Sequence, residues 1–569
     1  MVNHKETVYL FGDNADNRKI CNGKDKRKYV VVEETSLVKL DEKIKGIVAS
    51  VKASKQRSIV VVNTKDEHKN LAICNGFAMR IDEGSAEEKD LFFKNLRISV
   101  FVNADGQNAY GEIVEKAHGC IVCVDKYQHI AMDFIERYPF TKFMNEKQVD
   151  YQTSLLRSGV EINVFMLGFG ETNKQIFLAS IANNQFLCAG EKEPSLKQVN
   201  YHIFDDGKVD FDLPYFRAAE RLKSCKREEY LPLPTLPANT QYYPLNAEDK
   251  QTLDKIKLFA EKENSVNFVI IACGADERNI ALAKMLMERG AKWQVESLII
   301  FVKSKAIRRE ESGIDGENCF FIGNEEACVF NIEEILGDRI YRMSQLRNAI
   351  YDLEYEITNG NLQVTEEYVQ KNRENATRSW FTAKSQLERD SNTYGCLSLR
   401  SKLNLMGLDY CGKEENTLPA LTEEEYLTWY AQGDMPDFKT YNLKADGKPI
   451  VCYTLDFAES RRKNMAIHEH QRWNSFMLSK GMLPATKKQI LEEQTERNGR
   501  LRYTNGKNYA EGRHGNLTTF EGLIEFRQMV AKRDGCSEAE KDVIKYDYQL
   551  LDDAYWLLEK SGCKIIRMK

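Results

Sequence analysis

Two glycines, Gly168 and Gly170, follow a short apolar run in the middle of the chain. The run at 161–167 has the character of a buried strand, and the segment after Gly170 has the apolar spacing of an amphipathic helix. A glycine turn between a strand and a helix exposes main-chain N–H groups at the helix N-terminus, where they attract phosphate. Because this context is the one that a dinucleotide-binding turn requires, the sequence predicts a nucleotide phosphate site here.

The residues around this turn define the predicted nucleotide site. Gly168 permits the tight turn, Gly170 lets the main chain approach a pyrophosphate, and Asn173 replaces the third glycine of the fingerprint. A second predicted strand, 199–204, ends in two acids, and a carboxylate at that place usually holds ribose hydroxyls. The predicted nucleotide-binding residues are Gly168, Phe169, Gly170, Glu171, Thr172, Asn173, Asp205 and Asp206. The other interpretation is a degenerate unit that keeps the turn and binds nothing.

A second group of polar and aromatic residues lies near the C-terminus. Glu469, Arg472 and Trp473 have helical spacing, so they share one face of a predicted helix. Arginine and tryptophan on one face can bind an anion and stack a ring. The alternative, which the pattern alone favours, is a buried Glu–Arg pair that holds two helices together. The histidines nearby do not have zinc-protease spacing, and we predict no metal site and no catalytic residue.

Short apolar runs alternate with helix-length segments over about the first 335 residues, which predicts an α/β fold with parallel sheets. The third predicted strand of each half runs into a helix start with an acidic pair, Asp66-Glu67 and Asp276-Glu277. We therefore predict tandem Rossmann-like domains. The first is degenerate, because a single glycine, Gly12, is followed by acids that would repel phosphate. The predicted strands are 8–11, 29–32, 58–62, 98–102, 120–124, 161–167, 199–204, 267–272, 297–302 and 319–322.

Two segments depart from this alternation. Residues 230–246 are rich in proline, which indicates an extended surface insertion or a domain boundary. After about residue 335 the apolar spacing becomes helical. The predicted domains are a degenerate Rossmann-like domain at 1–150, a second Rossmann-like domain at 155–345, a helical linker at 346–374 and a mainly α-helical domain at 375–569.

Composition limits the classes of function. The formal net charge of -5 gives no reason to expect direct nucleic-acid binding, which commonly needs a basic surface. No run approaches the roughly 18 apolar residues that indicate a transmembrane helix. The 14 cysteines are scattered, many inside apolar runs, which favours a reducing compartment. We therefore expect a cytoplasmic protein without a membrane segment. We also expect a homo-oligomer, most simply a dimer.

The turn at 168–170, the acids Asp205 and Asp206 and the helix start at 276–279 resemble nucleotide-binding domains of the TrkA N-terminal type. These are regulatory domains of bacterial potassium transport systems. The resemblance covers residues 155–345 and, more faintly, 1–150. It implies NAD(H) or an adenine nucleotide, ATP or ADP, as a regulatory ligand rather than as a hydride-transfer substrate.

An ordered series of short motifs, at 380–403, 469–473, 514–523 and 545–565, resembles the RyR domain. This small helical repeat is named for the ryanodine receptor and also occurs in prokaryotic proteins fused to TrkA-type domains. The resemblance covers roughly residues 375–569 and implies sensing rather than catalysis. The candidate ligand-binding residues that it implies are Trp380, Asn392, Glu469, His470, Arg472, Trp473 and Asp547. The other interpretation is that they are the structural signature of the fold.

Together these features predict a nucleotide-sensing regulatory protein. NAD(H) or an adenine nucleotide would bind the second Rossmann-like domain, and a nucleotide-derived ligand or a partner would bind the RyR-like domain. One alternative is a nucleotide-activated effector or an NAD-dependent enzyme in a stress or antiphage defence system. Another is an assembly scaffold in which both Rossmann halves dimerise. We favour a role without catalysis because the sequence offers no catalytic constellation.

Overall fold

The computed structural model describes most of the chain and divides into two compact units. Unit 1 comprises Met1–Asp133, Gly323–Tyr341 and Asn375–Ser385, and unit 2 comprises Phe134–Ile322, Arg342–Glu374 and Gln386–Lys569. The described residues are 6–21, 27–33, 36–54, 56–102, 109–190, 194–207, 209, 211–295, 297–337, 339–360, 367, 371, 376, 378–415, 418–433, 441–445, 448–450, 460–497 and 499–568.

Unit 1 is built on a five-stranded parallel sheet. Its strands are β1 (Thr7–Phe11), β2 (Lys28–Val32), β3 (Ser58–Val62), β4 (Leu96–Val102) and β5 (Ile121–Asp125). The helices between and after them are α1 (Ala15–Cys21), α2 (Leu37–Ser54), α3 (Glu67–Asp82), α4 (Ala86–Asn95), α5 (Gly111–Lys116) and α6 (Lys126–Arg137). The strand order is β2-β1-β3-β4-β5, so the first predicted set of strands is confirmed.

Both faces of this sheet are covered, which explains why its central strand is apolar throughout. Every residue of β3 is buried, as expected for a parallel strand between two layers of helix. Val60 and Val62 pack in the cluster that contains the apolar residues of α2 and α3. Ile59 and Val61 pack on the other side, against residues between Cys328 and Ile335.

Unit 2 contains a six-stranded parallel sheet and a small four-stranded sheet. The strands are β6 (Val149–Asp150), β7 (Leu155–Leu156), β8 (Glu161–Leu167), β9 (Leu187–Cys188), β10 (Ser195–Leu196), β11 (Val199–Phe204), β12 (Ala238–Tyr243), β13 (Ser265–Ile271), β14 (Leu298–Lys303) and β15 (Cys319–Ile322). The larger sheet has the order β12-β11-β8-β13-β14-β15. Numbered within the sheet, this is the 3-2-1-4-5-6 order of a Rossmann sheet, so the fold is Rossmann-like.

The proline-rich segment at 230–246, predicted as a surface insertion or a domain boundary, instead contributes a strand to the sheet. It contains β12, which pairs in parallel with β11 at the edge of the sheet. The second set therefore has six strands rather than five. Pro237 and Pro244 lie directly before and after β12, and an edge strand is where a sheet tolerates nearby proline.

The helices that follow are mostly in unit 2. They are α7 (Glu171–Asn183), α8 (Pro214–Lys223), α9 (Lys250–Ala260), α10 (Asp276–Gly290), α11 (Arg309–Ser312), α12 (Glu325–Cys328), α13 (Ile332–Leu336) and α14 (Arg339–Gly360). Helices α12 and α13 belong to unit 1. The predicted linker at 346–374 is helical as far as Gly360, and most of the rest of it lies outside the described residues.

The C-terminal part is mainly helical, with short strands. Its helices are α15 (Gln386–Leu397), α16 (Leu399–Leu405), α17 (Glu423–Ala431), α18 (Arg461–Ser479), α19 (Lys487–Glu492), α20 (Phe520–Asp534), α21 (Lys545–Asp552) and α22 (Ala554–Lys560). Its strands are β16 (Leu408–Gly412), β17 (Tyr441–Ala445), β18 (Lys448–Ile450), β19 (Leu483–Pro484), β20 (Gln494–Arg497), β21 (Arg500–Tyr503), β22 (Arg513–His514) and β23 (Cys563–Arg567). Helix α18 is buried along most of its length and packs against α7 and α21. Over the described parts of both units, no helix has the length and apolar character needed to cross a bilayer.

Candidate functional site

The turn after β8 lies at the carboxyl edge of the six-stranded sheet, where the strand order reverses between β8 and β13. Ligands of doubly wound sheets bind in this crevice. Gly168 has a φ of +77°, and a Cβ there would lie 2.7 Å from the main-chain oxygen of Ala272, just after β13. A side chain at this position would be strained and would meet the neighbouring loop, so the turn requires glycine.

Gly170 is the N-cap residue of α7, and the space in front of it is open. Its φ of −74° is ordinary, and a Cβ there would meet no atom within 4 Å. No side chain caps the helix. Among the described residues, the main-chain N–H groups of Thr172 and Asn173 have no hydrogen-bond partner. These are the groups that a capping side chain or a bound anion satisfies.

Asn173 ties the turn to the sheet. Its buried side-chain amide donates to the main-chain oxygens of Gly168 at 2.6 Å and Leu167 at 3.3 Å. Its Oδ1 has no partner among the described residues. Asn173 stands where the fingerprint has its third glycine. It therefore links α7 to the end of β8 by hydrogen bonds, whereas a glycine would let the helix and the strand approach closely.

The two predicted ribose-binding acids lie at the end of β11 with different surroundings. Asp205 accepts hydrogen bonds from the main-chain N–H groups of Phe169 at 2.7 Å and Gly207 at 2.9 Å. Asp206 is exposed and accepts one from the Asn246 side chain at 2.8 Å. The Phe169 N–H is consequently used inside the protein, and a ribose would have to share the Asp205 carboxylate.

The structure adds two residues to the crevice, Cys273 and Arg278, from the loop and helix after β13. Arg278 lies at the start of α10, is partly exposed, and donates to Glu248 at 2.9 Å and Asn246 at 3.2 Å. Burial raises the pKa of Cys273 to about 12, although Arg278 opposes that shift. The thiol is therefore protonated at neutral pH. No local sequence pattern identifies these residues, because only the sheet order brings the two loops together.

The turn after β1 in unit 1 is built in the same way. Gly12 has a φ of +105°, and a Cβ there would lie 2.7 Å from the main-chain oxygen of Asn63, just after β3. The Asn17 side-chain amide donates to the main-chain oxygens of Gly12 at 2.6 Å and Phe11 at 3.1 Å. In both turns the asparagine follows the first glycine by five residues, a spacing that the sequence itself shows.

The two turns differ at the second residue after that first glycine, where unit 1 has Asn14 in place of Gly170. The Asn14 side-chain oxygen accepts from the main-chain N–H groups of Asp16 at 3.1 Å and Asn17 at 3.0 Å. Its amide donates to the main-chain oxygen of Asn63 at 2.6 Å. The protein's own side chain thus fills the place that is open in unit 2.

A second shared feature lies after β3 and β13. Asn70 Oδ1 accepts from the main-chain N–H of Thr64 at 3.0 Å, and Asn279 Oδ1 accepts from that of Cys273 at 2.8 Å. In each pair the asparagine follows its donor by six residues. Each of these asparagines holds the loop between its strand and the following helix.

The acidic pairs that suggested the repeat do not occupy matching positions. Asp66 precedes α3 and caps it by accepting from the main-chain N–H of Lys69 at 3.2 Å. Asp276 is already the first residue of α10 and accepts from the main-chain N–H of Lys305 at 2.9 Å. Both pairs lie at helix starts, as predicted, but the matching residues are the asparagines, because these hold the same turn in both units.

The strongest C-terminal signal, Glu469 with Arg472, is a buried ion network on α18. Glu469 lies 2.9 Å from Arg472, 2.8 Å from Lys402 and 3.2 Å from Arg347. The side chains of Glu469, Arg472 and Lys402 are at most 3% exposed. Burial alone would raise the pKa of Glu469, but these three cations hold it well below its usual value. The arrangement therefore matches the buried-pair interpretation of the sequence.

His470 and Trp473, the two remaining candidates on α18, lie beside this network, as does Asp547 on α21. His470 Nδ1 lies 3.2 Å from Asp547 Oδ2, and His470 Nε2 is 2.8 Å from the main-chain oxygen of Thr518. Burial raises the pKa of Asp547, and His470 opposes the shift. Trp473 is half-buried, with its ring centroid 5.0 Å from that of His514. These contacts hold α18, α21 and the 514–518 segment together.

Trp380 and Asn392 do not join that group. Trp380 belongs to unit 1, is fully buried, and has its ring centroid 5.7 Å from that of Tyr341. Asn392 lies on α15 in unit 2 and donates to the main-chain oxygen of Glu388 in the same helix. The seven candidates thus form one cluster of five around α18 and two separate positions.

Comparison with known proteins gives no assignment. No protein-family model matches this chain, and no curated protein is significantly similar to it.

Proposed function

We propose that this protein is a nucleotide-sensing regulator that binds NAD(H) or an adenine nucleotide, ATP or ADP, at residues 168–173. The observation that carries the proposal is the uncapped N-terminus of α7, with open space at Gly170. It lies at the crevice of a sheet with Rossmann strand order. Unpaired main-chain N–H groups and the positive end of a helix dipole attract a phosphate at such a place.

The residues around the turn suit the diphosphate part of the nucleotide. Gly170 lacks the Cβ that would occupy the approach to the helix, and the Thr172 and Asn173 N–H groups supply donors. Asp206 is exposed and is the freer of the two acids for a ribose hydroxyl, because both oxygens of Asp205 already accept main-chain N–H groups. The proposed contacts are thus strongest at the phosphates.

A regulatory role fits this crevice better than catalysis. Cys273 lies beside the turn, and its raised pKa of about 12 keeps it a neutral thiol. A thiol in that state is a poor nucleophile. In this proposal NAD(H), when bound, acts as a signal, and the chain's own residues hold it.

The C-terminal helical part, which we propose is an RyR-like domain following tandem Rossmann-like domains, would take a nucleotide-derived ligand or a partner. Helix α18 packs directly against α7, and His468 on α18 contacts the main-chain oxygen of Gln185 at 2.8 Å. A change at the start of α7 therefore has a short path to the C-terminal helices. We propose that the protein acts in this way in the cytoplasm as a homodimer; allosteric coupling requires two states that both ligands bias.

Titration calorimetry on ligand-free protein with NAD(H), ATP and ADP-ribose tests the proposal. We expect saturable binding of at least one of them, and its loss in Gly170→Asp, where a negative side chain would occupy the phosphate position. The substitution meets no neighbouring atom within 4 Å at the Cβ, so the fold should survive. Absence of binding to the wild-type protein, or unchanged affinity in the variant, would contradict the proposal. Turnover of NAD(H) would favour the enzymatic alternative.

A further inference from the structure

A second cavity, of about 340 Å³, lies in unit 2 between α17, the start of α18 and the end of β23. The residues that matter in it are Gln152, Trp429, Gln432, Arg461 and Arg567, and we call it the arginine pocket. Its volume lies within the range of small-molecule sites. None of the seven RyR-like candidate residues lines it.

Arg461 is a buried cation. It is 1% exposed, and no acid among the described residues lies within ion-pair distance of its guanidinium. The group donates to the Gln152 main-chain oxygen at 3.1 Å, to the Gln152 Oε1 at 3.3 Å and to the main-chain oxygen of Trp429. All three acceptors are neutral, so three of its five N–H donors are used, and no carboxylate among the described residues pairs with its charge.

The position of Arg461 in its helix adds to the positive potential. It is the first residue of α18, a 19-residue helix with no acidic residue in its first turn. The N-terminus of a helix carries partial positive charge, which normally favours a carboxylate there. Asp150 attracts Arg461 only from beyond ion-pair distance, and burial lowers the pKa of Arg461 to about 10. A guanidinium remains charged at neutral pH all the same.

A second arginine completes the pocket. Arg461 and Arg567 both lie over the ring of Trp429, at 4.4 Å and 4.9 Å from its centroid. Arg567 is exposed and has no ion pair among the described residues. Glu424 and Glu425 also line the cavity but are exposed, and Glu425 caps α17 by accepting from the main-chain N–H of Thr422 at 2.7 Å. Two guanidinium groups and two carboxylates thus line one cavity. The carboxylates are exposed, whereas the guanidinium of Arg461 is buried.

We propose that the arginine pocket binds a small molecule through a single oxyanion group, a carboxylate or a phosphate monoester, held between Arg461 and Arg567 beside Trp429. The oxyanion supplies the counter-charge that a buried guanidinium requires. Arginine suits both groups because its planar fork donates two parallel hydrogen bonds to their oxygens. The exposed acids Glu424 and Glu425 disfavour a ligand with more negative charge. This inference goes beyond the proposed function, since it does not depend on a nucleotide at Gly170.

Fluorine NMR of the full chain labelled with 5-fluorotryptophan tests this directly, because Trp429 lies in the pocket. The chain has five tryptophans, and Trp429→Phe identifies the signal. Sodium phosphate and sodium acetate are titrated against sodium chloride at matched ionic strength. We expect a saturable shift of the Trp429 signal with phosphate, acetate or both, and the more effective anion identifies the oxyanion class.

Two variants and two controls make the result decisive. Arg567→Ala and Arg461→Gln should each weaken anion binding about tenfold or more, the usual effect of losing a hydrogen bond to a charged group. Arg502→Ala, at an exposed arginine outside the pocket, should bind as the wild type does. Gly170→Asp should also keep the Trp429 response, which separates this site from the nucleotide site. If Arg461→Gln does not fold, anion binding by Arg567→Ala decides the test, because Arg567 is exposed. The proposal would be overturned if neither anion gave a saturable shift below about 10 mM, since weaker binding than this is not typical of ligand sites. Equal binding by Arg567→Ala and the wild type would also overturn it.

Discussion

The turns at Gly12 and Gly168 have the same backbone design but differ in how the start of the following helix is capped. Each has a glycine at positive φ, a close approach to the end of the neighbouring strand and an asparagine that binds the strand end. Asn14 then closes the first turn from within the protein, whereas Gly170 leaves the second open. The comparison shows that the glycine common to both turns serves the fold. The second glycine, Gly170, has Asn14 in its place in unit 1 and leaves the start of α7 open, which is where we propose that the nucleotide phosphates bind.

The largest effect should come from the shared glycine. Gly168→Ala and Gly12→Ala should each lower the free energy of unfolding by about 3 kcal/mol or more, because left-handed backbone costs roughly 1–2 kcal/mol and the Cβ overlap adds to it. Thermal and urea unfolding followed by circular dichroism measure this. Gly170→Ala, with an ordinary φ and open space, should cost less than about 1 kcal/mol. An equal loss at Gly170 and Gly168 would break the distinction between the two glycines.

The asparagines should show the next largest effect. Asn173→Ala and Asn17→Ala should each cost about 2 kcal/mol, because buried main-chain oxygens lose their donor. Denaturant unfolding measures the loss, and Asn75→Ala on the exposed face of α3 should stay within about 0.5 kcal/mol of wild type. Sensitivity at only one of the two asparagines would mean that the turns are not held alike.

The capping position should show the smallest effects, with opposite signs in the two turns. Asn14→Ala should lower stability by about 1 kcal/mol, because two N–H groups at the start of α1 lose their acceptor. Gly170→Asn should raise stability by about 0.3 kcal/mol, because it offers α7 the cap that α1 already has. Differential scanning calorimetry resolves both changes. A stability loss in Gly170→Asn would show that the open turn does not accept a capping side chain.

The sequence predicts the parallel strands well because most of their residues are large and apolar. The strands β8, β11 and β15 begin and end where predicted. Strand β12 was missed because its sequence, Ala-Asn-Thr-Gln-Tyr-Tyr, is polar. An edge strand with a largely solvated face has no apolar run to detect, and the flanking prolines indicated an extended insertion instead.

Only those parts of the candidate sites that are encoded by residues close together in the sequence could be predicted. The Gly-x-Gly turn and the Glu469–Arg472 pair are local patterns, and the structure shows both. The two further cations on Glu469, Lys402 and Arg347, come from distant helices. The arginine pocket likewise depends on Trp429 and Arg567 reaching the start of α18, and no short motif encodes such tertiary contacts.

The central claim is that the open N-terminus of α7 holds the nucleotide phosphates. Titration calorimetry with NADH, ATP and ADP-ribose on wild-type protein and Gly170→Asn tests it most directly, because the variant gives the second turn the residue of the first. We predict that the wild type binds at least one of these ligands and that the variant, still folded, binds it about 100-fold more weakly, the loss expected when two charge-assisted hydrogen bonds are blocked. Equal affinity in the two proteins would contradict the account.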